Sequence, residues 1–143
     1  MALFQKHLAW ALEIGAKILV VDDDDDLRDL LQTVLRCNGY FVAEAHNCAT
    51  AMDVLRGQKF DVVLLDITLP DGRGFGIAEF VRENHLSTKV IVMTGIDGIE
   101  NAMRGTALGV QDYMTKPFTI HRLMRSIENA LSIEYPTQGL SLS

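Results

Sequence analysis

The sequence lacks any apolar run close to the ~18–20 residues that a bilayer-spanning helix needs, so no membrane span is expected. It also lacks a basic stripe. Thirteen lysines and arginines stand against 19 aspartates and glutamates, giving a formal net charge of −6. Direct nucleic-acid binding is not expected of such a balance. Cysteine is scarce: Cys37 and Cys48 fit neither a zinc site nor a CxxC redox pair. They read as a small apolar residue near a helix end and a loop residue, both reduced, as in cytosolic proteins. The four histidines, His7, His46, His85 and His121, show no ligand spacing. Met1–Ala16 has neither a basic start nor a clean apolar core, being broken by Gln5, Lys6, His7 and Glu13, and so does not read as a secretory signal. These absences describe a soluble, cytoplasmic protein.

What is present is an ordinary globular balance, with 48% hydrophobic and 22% charged residues in a 143-residue chain. That length suits one domain. Strand-like and helix-like segments alternate along it. Lys17–Val21 is a short β-branched run. Asp24–Cys37 carries Leu27, Leu30, Leu31, Val34 and Leu35 at helical spacing, and Asn38-Gly39 ends it. Tyr40–Ala45 reads as a second strand and Cys48–Arg56 as a helix ended by Gly57. Asp61–Leu65, nearly all apolar, predicts a third strand buried on both faces. Leu69–Gly74 is a loop, Phe75–Asn84 a helix, Lys89–Met93 a fourth strand and Ile96–Leu108 a helix. Val110–Met114 is a short fifth strand, and Thr119 caps a last helix that runs to about Ile133. Five β-then-α units predict an α/β fold: a doubly wound, five-stranded parallel sheet of flavodoxin-like order 2-1-3-4-5, with five flanking helices. On this reading residues 17–133 form the domain. Residues 1–16 are a leader or an extra helix, and residues 134–143 a tail or linker stub.

In such a sheet, the carboxyl ends of the strands line one functional crevice. The residues that fall there are Asp22 and Asp23 after strand 1, Asp66 after strand 3, Thr94 and Gly95 after strand 4, and Lys116 after strand 5. Three close carboxylates repel one another. A hard divalent cation removes that conflict, and carboxylates with retained waters suit Mg²⁺, or alternatively Mn²⁺. Thr68 can add its backbone carbonyl to the ligand set. A carboxylate beside such an ion can act as a nucleophile toward a phosphoryl group. Lys116 and the Thr94 hydroxyl are suited to the charge on the phosphoryl oxygens, and Gly95 leaves space and a free N–H. The rest of the run Asp22–Asp26, namely Asp24, Asp25 and Asp26, reads as an acidic helix start. An EF-hand loop is excluded, because its glycine position holds Leu27 and its twelfth position Thr33.

The stretches KILVVDD (17–23), DVVLLDITLPDGRGFG (61–76), KVIVMTG (89–95) and DYMTKPF (112–118) resemble the receiver domain of two-component response regulators. The resemblance covers about Ala16–Ile133. It implies that Asp66 is the phospho-acceptor, Asp22 and Asp23 the Mg²⁺-binding pair, Thr94 the switch hydroxyl and Lys116 the phosphate-facing lysine. It further implies that Tyr113 is the aromatic that moves with Thr94, and that Lys116-Pro117 is a cis peptide. The implied function is a signalling switch rather than an enzyme with a separate substrate. It would catalyse its own phosphorylation and slow autodephosphorylation. The implied phospho-donor is a sensor histidine kinase or a histidine phosphotransfer protein. The readout surface, roughly Ile96–Ile133, comprises the fourth predicted helix, the fifth strand and the fifth predicted helix. It would serve an output protein or domain, or homodimer formation. Thr68 and Ile96 fall at the rim, where they would influence hydrolysis.

Three other functions of the same topology compete. A flavin-binding domain would need a Ser/Thr/Gly-rich loop where this chain has acids. An aspartate-nucleophile phosphatase would need D-x-D-x-T/V after strand 1, and Asp26 fills the last place. A phosphorylation-independent interaction module remains the main alternative, against which the complete set of site residues argues.

Overall fold

The computed structural model describes residues 15–72, 74–95 and 109–131. Their order is β1 (Lys17–Val21), α1 (Asp25–Cys37), β2 (Phe41–Ala45), α2 (Cys48–Gly57), β3 (Val62–Asp66), α3 (Gly74–Glu83), β4 (Lys89–Thr94), β5 (Asp112–Thr115) and α4 (Ile120–Leu131). The expected helix Ile96–Leu108 lies outside the described residues, as do most of the 1–16 segment and the 134–143 tail. The strands form one sheet of order β2-β1-β3-β4-β5, and every pair is parallel. The flavodoxin-like order expected from the sequence is the order observed.

Side chains alternate across each strand, and both faces are covered. Ile18, Val20, Val62, Leu64, Ile91 and Met93 pack with Leu31 and Leu35 of α1 and Leu123 and Ile127 of α4. Leu19, Val21, Val63, Leu65, Val90 and Val92 pack with Ala51 and Leu55 of α2 and Ile77 and Val81 of α3. Two-sided burial is why β3 reads as an unbroken apolar run. No described helix is long and apolar enough to cross a membrane.

The helix ends follow local chemistry. The Asp24 carboxylate accepts the Leu27 N–H at 3.1 Å, with Asp25 and Asp26 in the first turn, an arrangement that suits the positive end of the helix. Asn38 closes α1, and Gly39 takes the left-handed φ of 89° that lets the chain reverse. The Thr119 hydroxyl accepts the Arg122 N–H at 3.0 Å and caps α4.

Two expectations need correction. Of the two readings the sequence offers for Cys48, loop residue and helix start, only the second holds: it is the buried first residue of α2. The Asn47 side chain accepts from Thr50 N, and Asp71 accepts from Cys48 N, so the helix starts directly at Cys48. The fifth strand is Asp112–Thr115 rather than Val110–Met114. Val110 packs its side chain against the core, but the ladder begins later and extends to Thr115, which pairs with Thr94. Apolarity marked that segment, whereas pairing with β4 fixes its bounds.

Candidate functional site

Register brings the chemistry together. Val21 of β1 lies level with Leu65 of β3, so Asp22 follows on the rung of Asp66. Asp66 is level with Met93, which places Thr94 one residue beyond it on the adjacent strand. Thr94 is level with Thr115, and Lys116 comes next. The Lys116 N–H donates to the Thr94 carbonyl at 2.6 Å, and the Lys116-Pro117 peptide is cis.

Asp22 is fully buried and Asp66 is 2% exposed. The Lys116 ammonium bridges them, with Nζ donating to Asp22 Oδ2 at 2.7 Å and to Asp66 Oδ2 at 3.0 Å. The remaining oxygens are held locally. Asp22 Oδ1 accepts the Asp24 N–H at 2.9 Å. Asp66 Oδ1 accepts the Thr68 N–H at 2.8 Å and the Thr68 hydroxyl at 2.7 Å. Asp23 is exposed, and one carboxylate oxygen from each of Asp22, Asp23 and Asp66 lies within 4.8 Å of the others.

Burial pushes the Asp22 carboxyl up, against the opposing hydrogen bonds from Lys116 and the Asp24 N–H. Burial would lower the Lys116 ammonium, but its hydrogen bonds to Asp22 and Asp66 outweigh it and raise the pKa. The lysine therefore stays charged and is shared by Asp22 and Asp66, while Asp23 lies beside them without a cation among the described residues. The cluster carries excess negative charge, offers hard oxygen donors and has one exposed side where waters can remain, a donor set that suits a small divalent cation.

Thr94 completes the edge. It is buried, and among the described residues its Oγ1 is the buried side-chain oxygen without a hydrogen-bond partner. A Cβ built on the next residue, Gly95, would meet nothing within 4 Å. Tyr113 is half-buried on β5, level with Val92, and packs against the core on the α2–α3 face. Thr68 stands where the sequence placed it, but its N–H and hydroxyl are both spent on Asp66, a contact the sequence reading missed. The signal was present in D-x-T, since an Asp carboxylate commonly accepts the backbone N–H two residues on. Ile96 lies outside the described residues.

The loop after Asp66 is tightly held. Asp71 accepts the Cys48 N–H at 3.1 Å and the Ala49 N–H at 3.2 Å, tying the loop to the start of α2. Gly74 turns back against Ile67 so closely that a Cβ there would lie 2.4 Å from the Ile67 Cα. Neither tie was evident in the sequence.

Comparison with known proteins agrees with this geometry. The family model for the response regulator receiver domain matches residues 18–128. The chain is 36% identical over 112 residues to the nisin biosynthesis regulatory protein NisR of Lactococcus lactis, covering 78% of this chain and 48% of that protein. It is 32% identical over 120 residues to the response regulator protein PilR of Pseudomonas aeruginosa, covering 84% of this chain and 27% of that protein. Among solved structures, the non-phosphorylated HemR receiver domain of Leptospira biflexa is 32% identical with a TM-score of 0.76, covering 82% of this chain and 94% of that one. The chain belongs to the response regulator receiver domain family, a component of two-component signalling systems. It spans half or less of the length of these two curated relatives.

Proposed function

We propose that Asp66 is the phospho-acceptor of a signalling switch, supplied by a sensor histidine kinase or a histidine phosphotransfer protein. Asp22, Asp23, Asp66 and the Thr68 backbone carbonyl hold Mg²⁺, which Mn²⁺ can replace. When bound, the ion neutralises the clustered carboxylates and part of the charge on the phosphoryl oxygens. One Asp66 carboxylate oxygen attacks phosphorus as the phosphorus–nitrogen bond of the phosphohistidine breaks. The bonding pair leaves with the imidazole nitrogen, which then takes a proton. Lys116 shifts from bridging two carboxylates to pairing with a phosphoryl oxygen.

The observation that carries this reading is the buried Thr94 hydroxyl without a partner. A buried polar group left unpaired costs about 1–3 kcal/mol. A phosphoryl oxygen on the neighbouring Asp66 supplies the acceptor and draws Thr94 toward it. Tyr113, on the strand beside Thr94, follows. The equilibrium between two pre-existing states shifts, and the readout region expected at residues 96–133, of which β5 and α4 are described, carries the change to an output protein or domain, or to a second copy. The unit so defined spans residues 17–133, acts in the cytoplasm and catalyses its own phosphorylation and slow dephosphorylation.

The test is intact mass after incubation with acetyl phosphate and Mg²⁺. A single labile phosphoryl adduct is expected, absent in Asp66→Ala and absent when Mg²⁺ is chelated. An unmodified wild-type mass, under conditions where a control receiver reacts, would sink the reading.

A further inference from the structure

Arg28 sits at the end of the first turn of α1, where the helix dipole favours acids over bases. Its side chain is 14% exposed, and its guanidinium reaches three groups. Nη1 donates to the Asp22 carbonyl at 2.6 Å, Nε donates to Glu44 Oε1 of β2 at 3.3 Å, and Nη2 donates to Asp25 Oδ1. The bond to the carbonyl is the informative one. The C=O of Asp22 and the N–H of Asp23 belong to one planar peptide unit. Clamping that carbonyl therefore fixes the direction in which the chain leaves Asp22 for Asp23. Asp23 is the exposed member of the acid cluster, and no side chain among the described residues holds its carboxylate. Its aim is set by its own backbone, and Arg28 sets one end of that backbone.

We propose that Arg28 is a positioning residue for the cation site: anchored on Glu44 of β2, its fork fixes the Asp22–Asp23 peptide and so aims the Asp23 carboxylate at the metal. This rests on the Mg²⁺ reading above. Lysine cannot replace the fork, because a single ammonium does not reach a carbonyl and a carboxylate in the same planar geometry.

Charge and position make opposite demands here, which makes the proposal testable by sign. As a cation near the acid cluster, Arg28 repels Mg²⁺, so on charge alone its removal tightens binding. As a positioning group, its removal loosens binding. The experiment is calorimetric titration of the full chain with Mg²⁺ at fixed ionic strength, comparing wild type, Arg28→Met and Arg28→Lys. Both variants are expected to bind Mg²⁺ about ten-fold more weakly, the scale for losing an outer partner of a metal ligand. A merely structural arginine would lower the thermal midpoint and leave the affinity of the folded protein unchanged. Unchanged or tighter binding by either folded variant overturns the assignment. If Arg28→Met does not fold, Arg28→Lys decides, because it retains the charge and loses only the fork. A wild type that binds no Mg²⁺ overturns the underlying metal reading and this assignment with it. A wild type that binds, beside variants that bind equally well, overturns this assignment alone.

Discussion

Asp22 and Asp112 are both carboxylates partly or wholly removed from water, and each meets a cation from another part of the chain. At Asp112 the partners are plentiful. Arg122 of α4 donates to both oxygens at 2.9 and 3.2 Å, the Ser126 hydroxyl adds a bond at 2.6 Å, and the Tyr113 N–H another at 2.8 Å. Burial would raise this carboxyl, but those bonds outweigh it and hold the pKa below the usual range. At Asp22 the partners are few. Burial dominates and pushes the carboxyl up, although Lys116 and the Asp24 N–H pull the other way. Its single ammonium is shared with Asp66. One cluster is a satisfied clasp between β5 and α4. The other is short of positive charge at the edge of the sheet, and that shortage makes it receptive to a cation.

Removing the shared ammonium tests the contrast most severely. Lys116→Ala leaves two buried carboxylates with no cation, and metal-free stability is expected to fall by about 3 kcal/mol, the lower end for breaking a buried ion pair. Urea unfolding in chelator measures the loss, and Mg²⁺ should restore part of it. Equal stability of variant and wild type would erase the distinction between the clusters.

Thr94→Val asks whether the shortage of partners extends to the hydroxyl on the next strand. Replacing an unpaired buried hydroxyl by a methyl of similar shape should raise stability by about 1 kcal/mol. The phosphorylated form should lose its stabilisation, read as a smaller stability gain on phosphorylation. A loss of stability in the unphosphorylated protein would mean that Thr94 already has a partner in solution.

The two aspartates themselves give smaller effects of opposite sign. Asp22→Asn removes a charge that the fold disfavours. In chelator at pH 7 it should raise stability, while weakening Mg²⁺ binding. Asp112→Asn removes a charge that the fold favours, so it should lower stability at pH 7. The folded pKa of Asp112 lies below its unfolded value of ~3.9. Its contribution is therefore complete above that value and is lost as pH falls through the folded pKa. The gap between wild type and Asp112→Asn should close below about pH 4 in acid unfolding curves. A gap that persists at lower pH would mean that shape, not charge, is what Asn fails to supply.

Much of this edge was legible because each strand announces itself by an apolar run and its polar candidate residue follows directly. Asp22, Asp66, Thr94 and Lys116 are all of this kind, and a parallel sheet has only one carboxyl edge. The fifth strand was shifted because Val110 is apolar for packing, while the ladder is decided by β4. Asp71 and Arg28 were not legible at all. Each bonds backbone groups of a segment distant in sequence or across a turn, and backbone groups leave no trace in residue identity. Thr68 lay between these cases: its position was evident, but the choice between its carbonyl and its hydroxyl depends on the loop's dihedral angles.

Gly74 carries a consequence of its own. It contributes no charged or nucleophilic side chain, yet it packs against the backbone of Ile67, the residue between Asp66 and Thr68. A single added methyl would push on that backbone and spoil the aim of Asp66 from behind. In a screen of random variants scored only for signalling output, Gly74→Ala should therefore appear beside the loss of Asp66 itself. Such a result would make an inert position look catalytic to anyone ranking residues by phenotype.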